Sequence, residues 1–344
     1  MTGARRWPVA AGRLALLGGL ASALAGSAGC SLFRNAAAEA RVQHGQELLA
    51  DDDLESALAE FQAAAQLAPQ MAIAHSKMGV IYRRMGDYGR AMDCFAAAVR
   101  NDPYSFEDTL DLAKLYHFTR RLRDAVQAYL HASDLKPDNF DTQLNLGVCY
   151  QEMGELQQAV ERFNKAIAID SDRLDAYVNL GVALDSQKKY YEAIHAFKEA
   201  LERDNHQPLV LVNLAQTYMA QERLKMARQA LDQALKMDPQ LAAAHEAMAY
   251  CLFRLEDYDG AEQHYGEALV YDPRLPNAFA GLGSVHMMGF LKDHGRTELR
   301  ERALEEWHRS LELEPNQPKI RALISKYEVA QANPETMLLD EKGR

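Results

Sequence analysis

Alanine recurs at positions 57, 91, 125, 159, 193, 227 and 261, always 34 residues apart and without one insertion or deletion. Four residues after each stands a large apolar side chain: Phe61, Phe95, Tyr129, Phe163, Phe197, Leu231 or Tyr265. Three further on comes a second alanine, from Ala64 to Ala268, and twelve before the first comes a small residue, Gly45, Gly79, Ala113, Gly147, Gly181, Ala215 or Ala249. Steps of four and three put these side chains on one helical face. Small residues let two helices cross closely, and a proline cannot continue a helix. Prolines at 69, 103, 137, 239 and 273 therefore mark where one helix pair ends and the next begins, with Ser171 and Asn205 in that place in two units. A single pair cannot bury its apolar stripe, so successive pairs must stack and share a core.

On these residues the chain resembles the tetratricopeptide repeat, a 34-residue helix-turn-helix, over residues 38–316. The resemblance implies an all-α fold, a right-handed α-solenoid of about eight units with a concave groove. Units start at 38, 72, 106, 140, 174, 208, 242 and 276, and Pro208 and Pro276 suit first helical turns. The eighth unit departs from the pattern: its alanine, aromatic and proline are Ala303, Trp307 and Pro315, eight residues late. The extra length falls in "GFLKDHGRTELRE", where Gly289 and Gly295 suggest a projecting loop before a second helix starting near Thr297. Residues 317–332 read as a C-terminal capping helix with Ile320, Leu323, Ile324 and Tyr327 on one face, and 333–344 as a tail.

The net charge is −11, and the only charges before residue 30 are Arg5, Arg6 and Arg13. The remainder is more acidic still, which argues against general nucleic-acid binding. Cys30, Cys94, Cys149 and Cys251 form no CxxC pair. Neither a zinc knuckle nor a disulfide framework is suggested, and the last three suit small buried side chains.

Residues 1–29 have the layout of a bacterial export signal: a basic start, an apolar stretch from Leu14 to Leu24, then small residues. The end, Ser27-Ala28-Gly29-Cys30, resembles a lipobox, with Ser27 where leucine is usual. That resemblance implies lipidation at Cys30, residues 30–37 as a short linker, and a bacterial envelope location, outer membrane facing the periplasm. The alternatives are cleavage after Ala25, giving a soluble secreted or periplasmic form, and an unprocessed cytosolic adaptor.

As the family resemblance implies, repeat positions 2, 5, 6, 9, 12 and 13 line the groove. Asn145, Asn179 and Asn213 all occupy position 6. The row resembles the asparagine ladder of O-linked N-acetylglucosamine transferases, which implies amide contacts to an extended peptide backbone; asparagine is also simply common there. Lys77, Arg83, Arg84, Lys114 and His117 form a basic patch suited to carboxylates, or a solvated face. The carboxylate clamp of chaperone-binding repeats is not matched. Met219, Tyr250, Phe253, Met287 and Met288 give an apolar stretch, for a partner or for packing under the last repeat.

No catalytic motif is found: no GxSxG, HExxH, P-loop or dinucleotide fingerprint. His75 and His245 fall at a packing position, and Asp51-Asp52-Asp53 at a helix start, so no metal or cofactor is expected. The expected function is a non-enzymatic, envelope-anchored scaffold binding a protein or extended peptide, similar to lipoproteins that support pilus secretins, outer-membrane insertion or cell-wall enzymes. The alternative is a substrate-recognition subunit of a separate enzyme such as a glycosyltransferase.

Overall fold

The computed structural model describes residues 33–332. The chain divides into two compact units, Met1–Met153 and Gly154–Arg344. The described part of the first holds α1 (33–50), α2 (Leu54–Leu67), α3 (Ala72–Arg84), α4 (Tyr88–Asn101), α5 (Phe106–Phe118), α6 (Leu122–Leu135) and α7 (Phe140–Glu152). The second holds α8 (Leu156–Ile169), α9 (Leu174–Ser186), α10 (Tyr190–Arg203), α11 (Pro208–Ala220), α12 (Leu224–Met237), α13 (Ala242–Arg254), α14 (Tyr258–Tyr271), α15 (Pro276–Lys292), α16 (Thr297–Leu313) and α17 (Pro318–Ala332). The fold is an all-α helical-repeat solenoid. From α3 to α15 every odd-numbered helix begins at the residue where the 34-residue period starts a unit. Residues 33–37, inside the stretch expected as a linker, are helical. Cys30 and the export-signal residues lie outside the described part. Among the described residues, no helix is long and apolar enough to cross a membrane.

The repeating side chains are the core. Ala57, Phe61 and Ala64 are fully buried, as are Ala91, Phe95 and Ala98, and the pattern continues to Ala261, Tyr265 and Ala268. In four repeats the glycine of the first helix makes room for the aromatic of the second, as at Gly45 and Phe61. A Cβ at Gly79 would stand 2.9 Å from the Phe95 ring, and one at Gly181 would stand 2.6 Å from Phe197. Burial pushes the Cys94 thiol up to about 11 and the Cys149 thiol up to about 12, so these are packing side chains and poor nucleophiles.

Turns within the repeats share one backbone device. Asp52, Gly86, Arg120, Gly154, Lys188, Glu222 and Glu256, again 34 apart, all adopt φ between 59° and 79°. At three of them the side chain reaches an ion partner near the end of the next odd-numbered helix: Asp52 to Arg84, Arg120 to Glu152, and Glu222 to Arg254. Asp53 caps α2, its Oδ1 accepting the Ser56 N–H at 3.1 Å, and hydrogen bonds from the Ser56 side chain and then this N–H hold its carboxyl below the ordinary value.

The eighth repeat corrects the expectation of a projecting loop. Its extra residues extend both helices: α15 has 17 residues where the first helices α3 to α13 have 13, and α16 has 17 where the other second helices have 14. Adding about one turn to each keeps every side chain on its original face. Gly289 therefore sits inside α15, close against Leu299 of α16. Helix α17 covers the end, burying Ile324 and Tyr327 against Met287, Phe290 and Trp307.

Candidate functional site

In the second unit the odd-numbered helices touch one another in order, α9 to α11, α11 to α13 and α13 to α15, and so form one layer. Two adjoining clefts open on it. The larger, about 650 Å³, is lined by Tyr250, Phe253, Tyr265, Asn277, Gly281, Ser284 and the start of α17, including Gln317, Lys319 and Ile320. The smaller, about 450 Å³, is lined by Gln216, Met219, Ala220, Ala243, Ala247 and Arg254. Glu246 and Tyr250 line both.

Both clefts open where position 6 carries a small residue. Position 6, asparagine in three earlier units, is Ala247 in the seventh and Gly281 in the eighth. The Tyr265 ring occupies the space a side chain at 281 would need: a Cβ there would stand 2.1 Å from Cζ. Burial is the main influence on the Glu246 carboxyl and raises its pKa, with Asp272 adding to the rise and a hydrogen bond from Asn277 opposing it. The Tyr250 hydroxyl accepts from Arg254 Nη1 at 3.2 Å, and Arg254 also pairs with Glu222. The result is an apolar recess with a carboxylate, an amide and a lysine at its edges. Such recesses bind ligands by apolar contact and orient them by a few polar groups.

The other candidates fare differently. Tyr250, 44% exposed, and the half-buried Phe253 line the larger cleft. Met219 borders the smaller cleft but is only 5% exposed. Met287 is not a lining residue: at 3% exposure it packs with Phe290, Leu299 and Trp307 beneath α17. The lengthened α15 and the terminal helix together cover it. The basic patch is largely neutralised within its own unit. Arg83 pairs with Asp111 at 2.7 Å, Arg84 with Asp52 at 3.3 Å and His117 with Glu152 at 3.4 Å. Lys77 and Lys114 remain without such a pair among the described residues.

The Asn145 and Asn179 amides each donate to a carbonyl one turn earlier, Asp141 O at 2.7 Å and Asp175 O at 2.9 Å. One amide N–H of each is thus used internally, while the side-chain carbonyl stays free to accept. Asn213 is half-buried, in the repeat after Asn179. Sequence reasoning missed Glu246 and Asn277, although positions 5 and 2 of their units were already expected to line the groove. It also missed Lys319 and Ile320, since nothing in the repeat periodicity says that the terminal helix closes one wall.

Comparison with solved structures finds the same architecture in distant sequences. A tetratricopeptide repeat protein from Parabacteroides merdae is 16% identical, with a TM-score of 0.63 over 75% of this chain and 99% of that one. The APC/C hetero-tetramer Cut9-Hcn1 gives 15% identity and a TM-score of 0.57 over 83% of this chain and 54% of that one. PilW, described as a widely conserved type IV pilus biogenesis factor, gives 20% and 0.52 over 61% of this chain and 97% of that one. No curated protein matches the sequence. Three family models described as tetratricopeptide repeat match residues 42–106, 138–206 and 184–251, together just over half of the chain. With those matches and helix pairs that recur every 34 residues, the chain belongs to the tetratricopeptide repeat family of protein-interaction scaffolds.

Proposed function

We propose that this protein is an envelope-anchored scaffold that holds an extended segment of a partner protein along the α11–α13–α15 layer, with the larger cleft as its anchor point. The observation that carries the reading is the paired cleft. An apolar partner side chain fits among Phe253, Tyr265 and Ile320, and Glu246, at the junction, is placed to accept a backbone or basic N–H from the same segment. Asn179 and Asn213 lie in the two preceding repeats of the same unit, where side-chain amides suit a peptide backbone of any sequence. The anchor rests on the sequence before Cys30, and tethering would raise the effective concentration of the groove near the membrane.

The test is a pull-down from detergent-solubilised membranes with wild type, Tyr250→Ala, and an Asn179→Ala, Asn213→Ala double variant. A partner captured by the wild type and lost with Tyr250→Ala supports the cleft. Equal capture by all three sends the binding surface elsewhere. Fractionation of Cys30→Ser tests the anchor: the chain should move from membrane to soluble fractions.

A further inference from the structure

Repeat seven carries a side-chain cluster that the binding clefts do not use. His245 of α13 lies beside His264 and Glu267 of α14. The His245 and His264 Nδ1 atoms are 2.9 Å apart. The Glu267 Oε2 atom stands 2.8 Å from His245 Nδ1 and 3.5 Å from His264 Nδ1. We propose that His245, His264 and Glu267 bind a single divalent transition-metal ion, with zinc the species that the donor set fits.

The argument begins with the far side of the His245 ring. Its Nε2 lies 3.0 Å from the Pro239 carbonyl oxygen, which can only accept. Nε2 therefore carries the hydrogen, and in the neutral ring Nδ1 presents a lone pair. That lone pair faces a carboxylate oxygen and a second imidazole nitrogen at close range. Atoms so placed are held together either by a hydrogen, His264's own on Nδ1 or an added proton, or by a metal. Two imidazoles and one carboxylate are an ordinary zinc donor set, and donors of a four-coordinate ion at ~2.0–2.1 Å stand roughly 3.3 Å from one another. The three separations bracket that value. A backbone carbonyl holding the other ring nitrogen is also the usual support of a metal-bound histidine.

The protein supplies its own control. His75 of repeat two makes the same bond to a proline carbonyl, Nε2 to Pro69 O at 2.9 Å. That bond is therefore a feature of the repeat. The residues matching His264 and Glu267 are there Cys94 and Ala97, and in repeat six Ala230 and Gln233. Repeat seven alone among the units joins both histidines to the glutamate. His245 is buried, and Glu267 is the more exposed ligand, so the ion would enter from the α14 side and leave one position for water. Asp232 and Arg228 of α12 also act on His264, with opposing charges.

The test uses the full chain stripped of metal, dialysed against zinc, beside His264→Ala and Glu267→Gln. Both substitutions install the residue that repeat six already tolerates, so the fold is expected to survive, with circular dichroism as the check. The expected result is one zinc per wild-type chain, binding weakened at least about 10-fold in each variant, and a four-coordinate visible spectrum when cobalt replaces zinc. Absence of stoichiometric zinc binding by the wild type overturns the proposal and leaves a hydrogen bond as the link within the cluster. So does equal binding by wild type and His264→Ala, which would point to scattered surface histidines.

Discussion

Replacing Gly283 by alanine tests whether the small residue of each first helix is required by packing. In a free helix the change would stabilise by about 1 kcal/mol. Here the new Cβ would stand 2.5 Å from Trp307 Cδ1, 2.6 Å from Nε1 and 2.9 Å from the Ala303 carbonyl oxygen. The tryptophan is 1% exposed and its Nε1 donates to Ala280 O at 3.1 Å, so the ring cannot swing away without losing that bond. The Ala303 oxygen belongs to backbone, so relief requires the two helices to part. Overpacking of this kind costs about 1–3 kcal/mol, and a broken hydrogen bond about 1 kcal/mol more. The net expectation for Gly283→Ala is a loss of about 1–3 kcal/mol. Gly266 of α14 is the counter-case, because nothing lies within 4 Å of a Cβ built there. Gly266→Ala should gain about 0.8–1 kcal/mol. Urea unfolding, followed by circular dichroism and by the emission of Trp307, should move the two midpoints in opposite directions. A Gly283→Ala midpoint at or above wild type would refute the packing argument.

Two further predictions concern backbone strain and charge. Lys188 holds φ 61° and makes no ion pair among the described residues, so Lys188→Gly should raise the unfolding midpoint by about 0.5–1 kcal/mol, relief of left-handed strain less the added chain entropy. An unchanged or lower midpoint would show that the turn tolerates a side chain without cost. Glu246 has its folded pKa raised above the ordinary 4.5, chiefly by burial. Below that ordinary value both states are protonated and no penalty exists; as pH rises through the folded pKa, the native state must hold a charge it disfavours. Glu246→Gln should therefore unfold at a higher temperature than wild type at neutral pH, with the difference vanishing near about pH 3. A difference that persists in acid would assign the effect to something other than charge.

The period gave the architecture away because its demands are steric and repeated. Every odd-numbered helix from α3 to α15 starts where the sequence says a unit starts, since the alanines and the large apolar residue answer a contact that recurs along the chain and a proline closes most units. The left-handed turn was half visible: Gly86 and Gly154 announce it, while Asp52, Arg120, Lys188, Glu222 and Glu256 hide it behind side chains that elsewhere favour helix. Cleft-lining residues were legible where they follow repeat positions, as Tyr250 and Phe253 do. They were illegible where they depend on what stands above them. Met287 occupies a lining position yet is buried, because α17 covers the last repeat, and no repeat unit encodes its own neighbour. The His264 and Glu267 pair escaped for a related reason. Each is unremarkable within α14, and the cluster appears only when α13 is laid beside it.

The eighth repeat shows how an array can end without an exposed apolar face. Within a unit the next repeat covers a helix pair; beyond the eighth pair the described residues hold α17, one helix in place of two. The extra turns supply the missing cover. Phe290 and Leu299, both in the added length, are 4% and 8% exposed and join Met287, Trp307, Ile324 and Tyr327 in one cluster. If the cluster is the end cap, its loss should be felt locally, because stability in a repeat array is a sum of units and nearest-neighbour interfaces. Phe290→Ala should cost about 3–5 kcal/mol, drawn from the last repeat and α17. Hydrogen exchange should then quicken across residues 276–328 while α3 to α6 keep their protection. Were the lengthened helices only a tolerated insertion, exchange in α17 would be unaltered by the substitution. The added turns would then be dispensable, and the cover over Trp307 would come from α17 alone.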